Sequence, residues 1–141
     1  MKIKKGMKFK DIVKSSDEII EIDGYNFSDV DKDILEILTS GNVINIYYTK
    51  REDVSYKVNY LEKGTNQVLH EQKVQENMTF ESVIKASDEV IDIDGYNYDS
   101  ADNESITLTT GENVINIYYT KKDTKVTVHY YEEGTTNKVS E

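Results

Sequence analysis

At 141 residues, with 37% hydrophobic and 31% charged side chains and 11 tyrosines, the chain is polar yet rich in β-branched and aromatic types that suit pleated strands, which argues against a disordered polyelectrolyte. A net charge of −10 opposes nucleic-acid phosphates and anionic membrane surfaces, and no stretch approaches the ~20 apolar residues of a membrane span. The lack of cysteine removes disulfides, zinc–thiolate sites and thiol nucleophiles.

A repeat organises everything else. Ser16–Phe27 (SDEIIEIDGYNF) returns as Ser87–Tyr98 (SDEVIDIDGYNY), and Asn42–Lys50 (NVINIYYTK) returns unchanged at Asn113–Lys121, both at an offset of 71. Val58–Thr65 (VNYLEKGT) returns as Val128–Thr135 (VHYYEEGT) at an offset of 70. Residues 54–124 therefore make one complete unit. Residues 1–53 make a unit lacking its first hairpin, and residues 125–141 carry the opening hairpin of a further unit. Met1 aligns with Gln72 and Glu141 with Glu71, so the tail ends where the first unit starts. An open sheet edge recruits strands. The tail is expected to complement a 1–53 unit, within the chain or head-to-tail between chains.

In chain order, Met1–Gly6 is basic without the apolar core of a signal peptide, so any signal or anchor is expected outside this fragment. Phe9, Ile12 and Val13 have the i, i+3, i+4 spacing of a short helix, with Lys8 at its cap position. Asp23-Gly24 reads as a tight turn, Leu35 and Ile37 as alternating strand positions, and Asn42–Lys50 as the last strand. In the second unit Tyr56–Leu61 alternates as a strand, Glu62–Asn66 reads as a turn, and Gln67–Val74 as the return strand. A helix is expected over Phe80–Ser87, with Thr79 as N-cap and Phe80, Val83 and Ile84 as its buried stripe. Asp94-Gly95 turns into a strand at Tyr96–Tyr98, another passes Ile106 and Leu108, and Val114–Thr120 closes the unit with Ile115, Ile117 and Tyr119 inward.

One helix over a mixed sheet after an opening hairpin predicts an α+β fold, ubiquitin-like β-grasp modules in tandem; an all-β sandwich is the runner-up. The carriers Val58, Tyr60, Glu62, Gly64 and Thr65, then Ile93–Tyr96, then Asn113–Lys121, together with Ile22–Tyr25 and Asn42–Lys50, resemble the mucin-binding protein repeat family. That resemblance implies tandem ubiquitin-like modules on cell-wall-anchored bacterial adhesins, an extracellular location, and adhesion to mucus glycoprotein for some members. It transfers no binding residue, because its signature falls on core and turn positions.

Functional residues are therefore sought on the face left outward by the last strand. Asn116 and Tyr118, with Asn45 and Tyr47 in the first unit, point away from the inward set. If the opening strand pairs beside the last, Asn59 and Leu61, or His129 and Tyr131, join that face. Flat aromatic and amide groups suit sugar rings; they equally suit packing on a neighbouring module or plain exposure. Catalysis has little support, since His70 and His129 occupy different repeat positions without nucleophile spacing. Asp29, Asp31 and Asp33 alternate like cation ligands but lack the central glycine of a calcium loop, so a solvated acidic loop is the simpler reading. No cofactor is expected. The expected partners are host mucin or another glycoprotein and neighbouring modules or chains, with no nucleic acid and no membrane insertion.

Overall fold

The computed structural model describes residues 1–140; Glu141, the last residue of the expected tail, lies outside them. Unit one carries β1 (Ile12–Lys14), β2 (Tyr25–Val30), β3 (Ile34–Glu36) and β4 (Ile46–Lys50). Unit two carries β5 (Val54–Glu62), β6 (Val68–Met78), β7 (Val83–Lys85), β8 (Tyr96–Ala101), β9 (Ser105–Thr107) and β10 (Val114–Lys121). The tail forms β11 (Tyr130–Tyr131) and β12 (Lys138–Ser140). Among the described residues no helix is long and apolar enough to cross a membrane.

Unit two is built on a four-stranded sheet in the order β6-β5-β10-β8. β5 and β6 make an antiparallel hairpin, and β8 pairs antiparallel with β10. β5 and β10 run parallel, with Val58 opposite Ile115 and Tyr60 opposite Ile117. Parallel neighbours need a long crossover. Here it carries the small β7–β9 ladder, in which Ile84 faces Ile106. Alternation along β5 and β10 buries Val54, Tyr56, Val58 and Tyr60 against Ile115, Ile117 and Tyr119, and the crossover adds Ala86 and Leu108. Each of these core residues is 5% exposed or less.

The fold is thus all-β, and the α+β β-grasp expectation is corrected. Where a helix was expected over Phe80–Ser87, the chain turns at Thr79–Ser82, runs as β7, and makes one 3-10 turn at Ala86–Asp88. Glu81 takes φ of 67°, in the left-handed region, which no helix accommodates. Lys10, its repeat counterpart, does the same at 69°. The helical spacing misled because it spans one turn only, and a first turn is costly to nucleate. β-branched Val83 and Ile84 instead alternate outward and inward, Val83 being 59% exposed.

Unit one repeats the local pieces without the central one. Val13 faces Leu35 in the β1–β3 ladder, and β2 pairs with β4. β4 matches the second half of β10, but among the described residues no strand pairs with β4 as β5 pairs with β10. The residues that would enclose it stay open: Phe9, Ile12, Ile20 and Val43 are each more than half exposed. The tail does not fill this gap within its own chain. β11 and β12 pair with each other, leaving Val126 86%, Val128 54% and Tyr130 52% exposed.

Candidate functional site

The outer face of the unit-two sheet collects four of the expected residues. β5 and β10 set Asn59 beside Asn116 and Leu61 beside Tyr118. All four are half-buried. The amides form a ladder across the sheet: Gln72 Nε2 donates to Asn59 Oδ1 (2.7 Å), Asn59 Nδ2 to Asn116 Oδ1 (2.9 Å), and Asn116 Nδ2 to Asp102 Oδ2 (2.9 Å). The Asn116 backbone N–H donates to the other Asp102 oxygen at 2.9 Å. These amides hold strands together, which leaves Leu61 and Tyr118 as the part of the face open to a ligand.

The other four expected residues lie elsewhere. Asn45 repeats the carboxylate clamp in unit one, its N–H and Nδ2 donating to Asp31 at 2.8 and 2.9 Å, while Tyr47 is 55% exposed. His129 and Tyr131 sit in the exposed tail, rings 6.0 Å apart. The acidic run does not converge either. The Asn45 backbone bond, with its side-chain bond, holds Asp31 below its ordinary pKa; Asp29 accepts from the Val30 N–H (2.8 Å); and the Asp33 carbonyl accepts from Ser15. Among the described residues no group of three or more His, Cys, Asp or Glu could hold a metal ion.

Sequence reasoning passed over two features. The first is a polar cluster behind the core. Glu89, 7% exposed, accepts from Tyr56 Oη (2.6 Å) and Lys73 Nζ (2.5 Å), and its carbonyl accepts from Tyr60 Oη (2.8 Å). Unit one keeps the carboxylate as Glu18, which takes Lys2 Nζ (2.7 Å) and Lys4 Nζ (2.8 Å); those bonds pull its pKa down to about 2. The signal was present, since Lys2 and Glu18 stand 71 residues before Lys73 and Glu89.

Burial pushes the Tyr56, Tyr60 and Tyr119 hydroxyls above the ordinary 10.0, and the hydrogen bond to Glu62 does the same for Tyr96. A raised folded-state value stabilises unit two fully below pH 10, and that contribution is lost as pH rises through the folded values. Tyrosinate absorbance should show these four titrating above pH 10, together with unfolding; titration at the free-tyrosine value without unfolding would contradict the burial of Tyr56, Tyr60 and Tyr119 and the Tyr96–Glu62 bond.

The second feature is the joint between units. Gly24 is buried, with φ of 84°, and a Cβ there would fall 2.3 Å from the Phe80 ring. Tyr25 meets the same ring edge-on at 5.7 Å, and its hydroxyl donates to Glu81 (3.0 Å). The Phe80 N–H donates to the Arg51 carbonyl (2.8 Å), and Thr110 Oγ1 to Asp23 (2.8 Å). Both halves of this joint recur. Phe9, the counterpart of Phe80, is 59% exposed, and a Cβ on Gly95, the counterpart of Gly24, would meet nothing within 4 Å.

The fold and these contacts define a class: an all-β tandem-repeat chain whose units are seated on one another by a glycine–phenylalanine contact. No protein-family model matches the chain, and no curated protein matches it.

Proposed function

We propose that the chain is a non-catalytic stretch of an extracellular bacterial surface adhesin, anchored to the cell wall through regions outside it, in which the units serve as stacked spacers. The observation that carries this reading is the Gly24–Phe80 joint with its two unused halves, Phe9 and Gly95. Repeat arrays gain length when each unit offers its neighbour the same interface. The resemblance to mucin-binding repeats supports the surface setting.

A second reading is favoured by the Leu61–Tyr118 pair on the outer sheet face, an apolar and aromatic strip suited to one face of a sugar ring of a mucin-type glycoprotein.

One experiment separates them. Small-angle scattering of the monomeric chain should give an extended particle of fixed length, and Gly24→Val should broaden its distance distribution by blocking the Phe80 seat. Gly95→Val imposes the same strain at φ of 82° with open space around it, and should leave the distribution unchanged. Identical curves for all three would sink the spacer reading. Retention on immobilised mucin that disappears with Tyr118→Ala would move the assignment to the second.

A further inference from the structure

Unit two carries a groove of about 560 Å3 that the joint and the outer sheet face leave unused. One wall is β8, the edge strand of the sheet, from Tyr98 to Ala101. The other is the crossover: Lys85 at the end of β7, Ser87 in the 3-10 turn, and Glu104 and Ser105 at the start of β9. The Ala86 N–H donates to the Glu104 carbonyl (2.9 Å), which ties this wall together. Ala86 and Ala101 also line the groove, and their short side chains leave it room.

Tyr98 supplies a fixed aromatic platform. Its ring meets Tyr119 at 6.2 Å and 81°, yet it stays 48% exposed. Tyr119 is itself locked, its hydroxyl donating to the Ile91 carbonyl (2.9 Å) and accepting from the Ile91 N–H (3.1 Å). Around this platform the polar groups are uncommitted. The side chains of Lys85, Ser87, Glu104 and Ser105 make no hydrogen bond or ion pair with the described residues. Asp99, held by Ser100 (2.7 Å) and Lys63 (3.0 Å), adds an acceptor already set in place.

We infer that this groove binds one neutral pyranose residue of a glycan, stacked on Tyr98 and hydrogen-bonded by Lys85 and Glu104. A pyranose offers an apolar C–H face and a rim of hydroxyls. The first suits an aromatic ring and the second needs donors and acceptors together. The ammonium of Lys85 donates, the carboxylate of Glu104 accepts, and the serine hydroxyls do either. The net charge of −10 favours a neutral glycan over a sialylated or sulfated one. This site goes beyond both readings above. It lies at the β8 edge, where Tyr98 pairs with the inward Tyr119, and not on the outward strip of Leu61 and Tyr118.

The repeat supports the assignment. Phe27, the counterpart of Tyr98, meets Tyr48 at 6.3 Å and 82°, and the Tyr48 hydroxyl is locked to Ile20 by the same pair of backbone bonds (2.8 and 3.2 Å). Lys14 and Ser16 match Lys85 and Ser87, and Asp33 stands where Glu104 does. Unit one also shows that a seated neighbour leaves the platform open. Gly24 and Tyr25 lie against Phe80, yet Phe27 stays 46% exposed. Stacked units therefore present one platform each, and a glycan with several sugars gains avidity from the row.

Printed neutral and sialylated glycans, probed with the whole chain, test the site. Wild type should be retained on neutral glycans and less on their sialylated forms. Tyr98→Ala should weaken retention about tenfold or more, by loss of stacking and of avidity. Tyr98→Phe should bind like wild type, since the ring face is what stacks. Tyr98 also packs on Tyr119, so Glu104→Ala serves as the variant that cannot act through the fold: its side chain is exposed and unbonded. It should leave the thermal midpoint unchanged and lower retention several-fold. Titrating the chain with the best-retained glycan should shift the amide resonances of Lys85, Tyr98 and Glu104.

No retention on any neutral glycan overturns the proposal, as does a Tyr98→Ala chain that binds like wild type. Loss on Tyr118→Ala, with shifts at Leu61 and none at Tyr98, places the sugar on the outer strip and overturns it too. None of these outcomes touches the Gly24–Phe80 joint, which is read from the shape of the chain in scattering.

Discussion

Ile115→Ala lowers the stability of unit two by about 2–5 kcal/mol, while Ile44→Ala costs unit one about 1 kcal/mol or less, in dilute monomeric chain. The two isoleucines occupy the same place in an unchanged nine-residue motif, so local sequence cannot separate them. Their surroundings do. Ile115 is 0% exposed and is enclosed by β5, with Val58 as its register partner. Removing its methyl and methylene groups leaves a cavity that a close-packed core cannot fill. Ile44 lines an open groove with water already on one side, so less area returns to solvent on truncation. Denaturant titration followed by amide exchange, read separately at the β5–β10 and β2–β4 amides, measures both effects. Equal losses would show that the groove in unit one is closed in solution.

Glu89→Ala is the second large effect, a loss of about 2–3 kcal/mol from unit two. Removing one partner of a fully buried ion pair costs ~3–5 kcal/mol, and the Lys73 side chain, 40% exposed, recovers part of its hydration. Tyr56 has no such recourse. It is 5% exposed, and its hydroxyl loses the acceptor at 2.6 Å, leaving a buried polar group unpaired. Glu89→Gln keeps an acceptor for Tyr56 and should cost visibly less. Thermal melts of the three chains rank the effect; a Glu89→Ala midpoint equal to wild type would mean that the cluster is not formed in solution.

Much of the strand content is legible in the amino-acid sequence. Alternation along Tyr56–Leu61 and Val114–Thr120 marked the inward residues that form the core, and the offset of 71 marked the matching positions of unit one. The crossover was not legible. Phe80, Val83 and Ile84 fit one helical turn and one short strand equally, and three residues cannot arbitrate between periods. The positive φ at Glu81 that decides the matter falls on a residue type that does not announce it. The outer face was half legible: alternation identified Asn59, Leu61, Asn116 and Tyr118, but not the hydrogen bonds from Gln72 and to Asp102 that occupy its amides. Those partners come from a neighbouring strand and from a loop 14 residues away in sequence.

By itself the sequence determined the repeat, its phase, the inward and outward faces of the long strands, and the tail's likeness to β5, because each follows from side-chain identity at fixed spacing along one strand or one unit. Only the tertiary structure decided that the crossover is β7, a 3-10 turn and β9, that Phe80 seats on Gly24, and that unit one is left open while the tail pairs with itself. These outcomes depend on which segments meet across the chain, and two identical motifs can differ completely in what covers them.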